Sequence, residues 1–204
     1  MVEDKIGRSY HHGHLRQALI DSALAVLTEK GVEAFSLREV ARRAEVSPAA
    51  PRHHFADTRA LLTELATLAF TRLADALEQA DTAAGRRQRA RLVAQGRAYV
   101  DFALRESALF DLMWRAPLLD LSDTALLVQK ARAFACLDRL VRGADAPALA
   151  EDDPAMAPTI ACWSLVHGFA RLLLDGGFGH DGLAHARASE ALLPAMLGRV
   201  DLRR

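Results

Sequence analysis

Cysteine is almost missing from this chain of 204 residues: Cys136 and Cys162 are the only two. Two lone thiols do not make a disulfide framework, and they fit a reducing compartment better than an oxidising one. Aromatic residues are sparse, at 6%, and β-branched residues are few beside the many Ala and Leu. Little is left from which to build a sheet, and helix is favoured nearly throughout. An excess of charge is also lacking, because 26 Lys and Arg are balanced by 26 Asp and Glu. Bulk charge therefore announces no nucleic-acid partner, and a DNA reading has to rest on local placement. The longest uncharged run, 154–170, is shorter than a bilayer span and holds two prolines, Ser164 and His167. The opening MVEDKIGRSYHHGH is polar and lacks an apolar signal core. Nucleophile elbow, P-loop, dinucleotide fingerprint and zinc-protease motif are all missing. The expectation is a cytoplasmic protein that is not an enzyme, needs no cofactor and does not engage a membrane.

What is present is globular composition, 51% hydrophobic and 25% charged. Residues 1–13 read as a flexible arm ending at Gly13. A first helix follows from about His14 to Lys30, with Leu15, Leu19, Ala23, Val26 and Leu27 at helical spacing and Gly31 closing it. Ser36-Leu37-Arg38-Glu39 matches a capping box, in which Ser36 accepts from the Glu39 amide and Glu39 reaches back. The short helix it opens carries Leu37, Val40, Ala41 and Ala44 on one face. Ser47 then Pro48 mark a third start, about 48–54. Asp57 caps a long fourth helix bearing Leu61, Leu65, Leu68, Leu73 and Leu77. Further helices are expected at about 86–105, 107–115, 123–142, 154–176 and 182–198, punctuated by Pro117, Gly143, Pro147 and Gly176-Gly177. That makes about nine, with an arm and DNA-binding domain over 1–56 and a second domain over 57–204.

Two short helices joined by so few residues stand at a steep angle, as in a helix-turn-helix. Leu37, Val40, Ala41, Ala44, Val46 and Phe55 would pack inward, leaving Pro48, Ala49, Arg52 and His53 outside. Small residues in the first turn, Ala49 and Ala50, let a helix approach base edges and touch thymine methyls. Arg52 and His53 can reach phosphates or bases, and the helix starts at Ser36 and Ser47 offer backbone amides to phosphate.

The stretch GVEAFSLREVARRAEVSPAAPRHHFADTRALL closely resembles the DNA-binding domain of the tetracycline-repressor (TetR) family, over roughly residues 10–65. YHHGHLRQALIDSAL resembles one branch of that family, and Trp163, His167 and Gly168 match the Trp–His–Gly pattern of that branch's sensor domain. The resemblance implies that Ser36, Arg38, Ser47, Ala49, Ala50, Arg52, His53 and Thr58 face DNA. It also implies a dimer and a small-molecule effector. Three positions depart from the family pattern. Glu45 stands where Gly is frequent, so a positive φ there would cost on the order of 1 kcal/mol. Arg52 stands where Tyr is frequent, and Thr58 where Lys is frequent. Pro51 removes one backbone bond from the third helix.

Eight of the twelve aromatic residues lie between Tyr99 and Phe178. Tyr99, Phe102, Phe110, Met113, Trp114, Phe134, Trp163 and His167 are the expected lining of an apolar ligand pocket, although a plainly filled core would carry the same residues. Residues 159–170 are uncharged all round, so their helix must be buried on every side. A second copy packing 154–176 and 182–198 as a four-helix interface would do this, with Trp163, Phe169, Leu172, Leu193 and Met196 in it. The His11-His12-x-His14 group lacks a nearby carboxylate or thiol at ligand spacing, and no metal site is expected. The functional expectation is a repressor released from a palindromic operator by a small apolar or amphipathic effector. The rival is a helical ligand-binding or enzyme-like protein whose helix-turn-helix no longer holds DNA.

Overall fold

The computed structural model describes residues 3–150, 152–179 and 182–200, with side chains from His14 onward except Leu183. The described chain is all-helical: α1 (Glu3–Lys30), α2 (Leu37–Arg43), α3 (Thr58–Ala83), α4 (Gln88–Arg105), α5 (Ser107–Met113), α6 (Thr124–Val141), α7 (Ala157–Leu174) and α8 (Gly182–Gly198). Each expected helix is found within a few residues, with two exceptions. Residues 3–13, expected as a flexible arm, continue the backbone of α1. Gly7 and Gly13 each cost about 1 kcal/mol inside a helix, and the two do not stop it.

The other exception is the third helix. Residues 48–54 do not make an α-helix; Ala50–His53 form a single 3-10 turn with no side-chain cap, and Ser47 contributes only its carbonyl, which accepts from Ala50 N at 3.0 Å. Pro51 is the physical reason. It has no amide to donate to Ser47, so bonding tightens by one residue, with Arg52 N on Ala49 O at 3.1 Å and His54 N on Pro51 O at 3.0 Å.

At its start α2 keeps half of the expected capping box. Ser36 Oγ accepts from Glu39 N at 3.3 Å, whereas the Glu39 carboxylate is drawn away by Lys30 and Arg42. At its end Val46 N bonds Ala41 O at 3.0 Å and Glu45 N bonds Arg42 O at 3.3 Å. This pattern needs a left-handed residue in its middle, and Glu45 takes φ 56. Glu45→Gly is therefore expected to stabilise the protein by about 0.5–1 kcal/mol, a rise of about 1–4 °C in Tm measured by calorimetry.

Packing divides the chain into two compact units that do not follow chain order: Met1–Ala69 with Ala108–Leu127, and Phe70–Ser107 with Val128–Arg204. In the first unit Leu19, Ala23, Val26, Leu27, Val40, Ala41, Phe55, Leu61 and Leu65 form a core closed over by Phe110 and Leu112. Residues 108–127 are held to it by Arg115–Glu33 at 3.1 Å, Arg59 Nη2 on Leu119 O at 2.7 Å and Asp120 N on Thr63 Oγ1 at 2.9 Å.

In the second unit α4 lies against α7 and α8. Gly96 makes this possible, since a Cβ there would sit 2.9 Å from Leu197 Cδ1. The Arg89 guanidinium donates to Leu197 O and Val200 O, which satisfies carbonyls at the end of α8. Arg132 on α6 bridges Asp75 and Glu78 of α3, and Asp138 on α6 takes Thr159 Oγ1 of α7 at 2.9 Å. Residues 154–174 are long and apolar enough to cross a membrane by length and composition alone. Here that helix puts Cys162, Val166, Phe169, Ala170 and Leu173 into the core of the second unit.

Candidate nucleic-acid interface and sensor site

The helix-turn-helix is anchored by ion pairs between α1 and α2. Lys30 Nζ meets Glu39 at 2.5 Å, and Arg43 makes a two-pronged pair with Glu29 at 2.5 and 2.7 Å. The hydrogen bond from Arg42, and then that from Lys30, lowers the Glu39 carboxyl to about 2. The stabilisation from these pairs is thus complete above the ordinary carboxylate range and is lost as pH falls towards 2.

Most headpiece cations are used up in this way. Arg16 pairs with Glu64 at 2.8 Å and lies 5.2 Å over the Phe55 ring. Arg59, the neighbour that could have replaced a lysine at Thr58, is turned to the Leu119 carbonyl. Among the described Lys and Arg side chains of 14–69, only Arg38 and Arg52 have no ion pair or hydrogen bond, and both are exposed. Ser36, Ser47, Pro48, Ala49 and His53 are exposed beside them, while Ala50 and Thr58 are half-buried. Pro51 and Phe55 are buried and hold the 3-10 turn against the headpiece. The expected outer face is thus outward, with Ala50 only partly so.

Of the eight expected pocket residues, four make one cluster in the second unit. Tyr99 Oη lies 2.9 Å from His167 Nδ1 and is hydrogen-bonded by the Trp163 side chain. Phe134 meets Trp163 edge-on at 5.7 Å. An indole N–H only donates, so Tyr99 accepts from Trp163. Burial, and then Arg171, lowers the imidazole below its ordinary value, which favours the neutral ring at pH 7. Burial raises the Tyr99 hydroxyl far above its own ordinary value. Phe102 is buried in the same unit, whereas Phe110, Met113 and Trp114 belong to the first unit, where Phe110 and Trp114 stack edge-on at 6.2 Å.

The expected interface set is corrected at two positions. Phe169 and Leu193 are 1% and 0% exposed within a single protomer and offer no surface to a second copy. Phe169 packs on Phe178 at 5.6 Å, and Leu193 faces Gly96. Leu172 is 53% exposed, and Trp163 and Met196 are half-buried. Among the described residues no group of three or more His, Cys, Asp or Glu could hold a metal ion, and the side chains of His11 and His12 lie outside them. The sequence reading passed over Gln95, a buried glutamine one turn before Tyr99 on α4. Its signal was a polar residue on an otherwise apolar helical face.

Comparison with known proteins agrees with this geometry. Residues 92–196 match the family described as "Tetracyclin repressor-like, C-terminal domain", and residues 19–65 match "Bacterial regulatory proteins, tetR family". An uncharacterized HTH-type transcriptional regulator of Bacillus subtilis, YobS, is 25% identical over 81% of this chain and 82% of its own length. A structure of a protein of unknown function from Rhodococcus sp. RHA1 is 33% identical, covers 91% of this chain and 97% of its own, and superposes with a TM-score of 0.72. The TetR-like regulator LfrR from Mycobacterium smegmatis, solved with proflavine, shares the fold at 18% identity over 93% of this chain and 98% of its own, with a TM-score of 0.61. The chain belongs to the tetracycline-repressor family and is a DNA-binding transcription regulator, not an enzyme.

Proposed function

We propose that this regulator is a homodimeric repressor that leaves a palindromic operator when a small apolar or amphipathic effector enters its C-terminal half. The observation that carries the DNA part is the pair of exposed, unpartnered guanidiniums, Arg38 and Arg52, in a headpiece whose other described Lys and Arg side chains are all engaged. Ser36, Ser47, Pro48, Ala49, Ala50, His53 and Thr58 complete the surface, with 1–56 serving DNA and 57–204 serving effector and partner. Two copies of the 3-10 turn held roughly 34–36 Å apart would meet successive major grooves of one duplex.

The sensing part rests on Tyr99, Phe134, Trp163 and His167, a buried polar relay beside aromatic rings. Trp163, His167 and Gly168 support placement in the Trp–His–Gly branch. Their chemistry gives a reason for that pattern, since Trp163 and His167 both bond Tyr99. LfrR, of the same fold, was solved with proflavine, and a planar ligand of that kind suits an aromatic-lined site. The outward surface of α7 carries Ile160, Ala161 and Ser164 without a charge, and Leu172 beside the Arg171–Asp175 pair, which suits a symmetric partner. Site of action is the cytoplasm, where chromosomal DNA lies and free Cys136 and Cys162 stay reduced.

Fluorescence-anisotropy titrations on DNA from the chain's own promoter test this reading. Binding at least about a thousandfold tighter than to random DNA is expected, with the strong salt dependence of phosphate contacts. A strictly monomeric protein, or no preference over random DNA, overturns it.

A further inference from the structure

Gln95 is 3% exposed, and its side-chain amide is only half used. Nε2 donates to Asp81 Oδ1 at 2.7 Å and to Cys136 O at 3.3 Å, whereas Oε1 has no hydrogen-bond partner among the described residues. The orientation of the amide is settled by chemistry, because both neighbours of Nε2 are acceptors. Asp81 is ionised. Burial alone would raise it, but the hydrogen bonds from Arg91 at 2.8 and 2.5 Å and from Gln95 hold it below its ordinary value. Donation to a carboxylate and a carbonyl polarises the amide and makes Oε1 a stronger acceptor than an isolated amide oxygen. A buried acceptor of that strength is costly to leave empty.

Its surroundings narrow what fills it. Tyr99 stands one turn further along the same face of α4, hydrogen-bonded to His167 and Trp163. The carboxylates nearby, Asp81 and Glu78, are neutralised by Arg91 and Arg132, and Arg139 stands beside Cys136. A strong buried acceptor one turn from the Tyr99 ring favours a donor-bearing aromatic.

We propose that Gln95 Oε1 is the polar anchor of the effector site, and that the effector is a small aromatic molecule bearing an N–H or O–H donor. This rests on the sensing reading above and specifies the chemistry it selects.

Aniline and toluene separate the two questions, since they share a shape and only aniline donates. The full-length protein is titrated with each at neutral pH and followed by NMR, including the 15N signal of the Gln95 side-chain amide. Aniline is expected to bind about tenfold more tightly than toluene, the worth of one hydrogen bond. It is expected to shift the Gln95 amide where toluene does not, a readout in the unmodified protein. Gln95→Met is expected to erase the preference by weakening aniline alone. Equal binding of the two compounds, or a preference that survives in Gln95→Met, overturns the anchor and leaves a sensing cavity standing, with only a locked water on Oε1. Failure of both compounds to bind up to their solubility limits overturns the anchor together with the cavity.

Discussion

Changing Arg38 and Arg52 together to alanine is expected to weaken operator binding by about 2–6 kcal/mol, roughly thirtyfold to more than ten-thousandfold. Each guanidinium is exposed and has no protein partner, so neither is needed to hold the headpiece together. Removing such side chains leaves stability within about 0.5 kcal/mol, and the melting curve of the double variant should overlay that of the parent. Salt titrations then say what the two side chains touch. Contacts to phosphate reduce the slope of log K against log salt by about two and weaken all sequences alike. Contacts to base edges leave the slope and relax specificity at particular positions. A double variant that binds the operator as tightly as the parent would remove the basis of the DNA-binding surface drawn above. Arg43→Ala is the contrasting control. Its guanidinium is committed to Glu29, so its loss acts on the α1–α2 junction first and on DNA only through it.

The headpiece was legible because its signals are local. Ser36 three residues before Glu39, Gly31 after Lys30 and Asp57 before the leucine run each act within one turn of their own position. Each behaves so in the structure, with Asp57 Oδ1 accepting from Ala60 N at 2.8 Å. Glu45 was legible only through the family resemblance, which places a frequent Gly at the left-handed position closing α2. Pro51 shows the limit. Its missing amide was plain, but whether a four-residue segment keeps α-helical bonds or tightens by one depends on how Pro51 and Phe55 pack, and both are buried. The second half of the Glu39 capping box failed through two competing partners, Arg42 one turn on, an i,i+3 pair, and Lys30 nine residues back, which no local rule reports.

Further along the chain the difficulty changes in kind. A helix with no charge from 159 to 170 has no periodic contrast, so its inward and outward faces cannot be told apart by pattern. This is why Phe169 and Leu172, three residues apart, were placed together although one is wholly inside and the other half outside. The aromatic group suffered likewise. Pattern could not tell that Phe110 and Trp114 fold with residues 1–69, and Tyr99 and Trp163 with the later helices. Gln95 was the opposite case, a clear polar break in the Leu92–Tyr99–Phe102 face, readable once an apolar face is scanned for its exceptions.

Leu193→Ala and Leu172→Asp form the decisive pair for the C-terminal helices. Leu193 has no exposed surface and lies where a Cβ on Gly96 would be 3.7 Å from its Cδ2, at the crossing of α4 and α8. Trimming it leaves a cavity at a junction where α4 and α8 already approach as closely as a glycine allows, so the site cannot collapse to fill it. A loss of about 2–5 kcal/mol is expected, seen as an equal fall in stability at every protein concentration. Leu172 is 53% exposed on α7, so a carboxylate there meets water in a lone protomer and costs it little. Across a two-fold axis the same substitution places two like charges in an apolar contact. Leu172→Asp should therefore raise the dimer dissociation constant in analytical ultracentrifugation by at least about tenfold, while a monomer-range melting curve stays where it was. If Leu193→Ala instead frees monomers of unchanged stability, Leu193 is interface after all, and the packing of α8 on α4 must be redrawn.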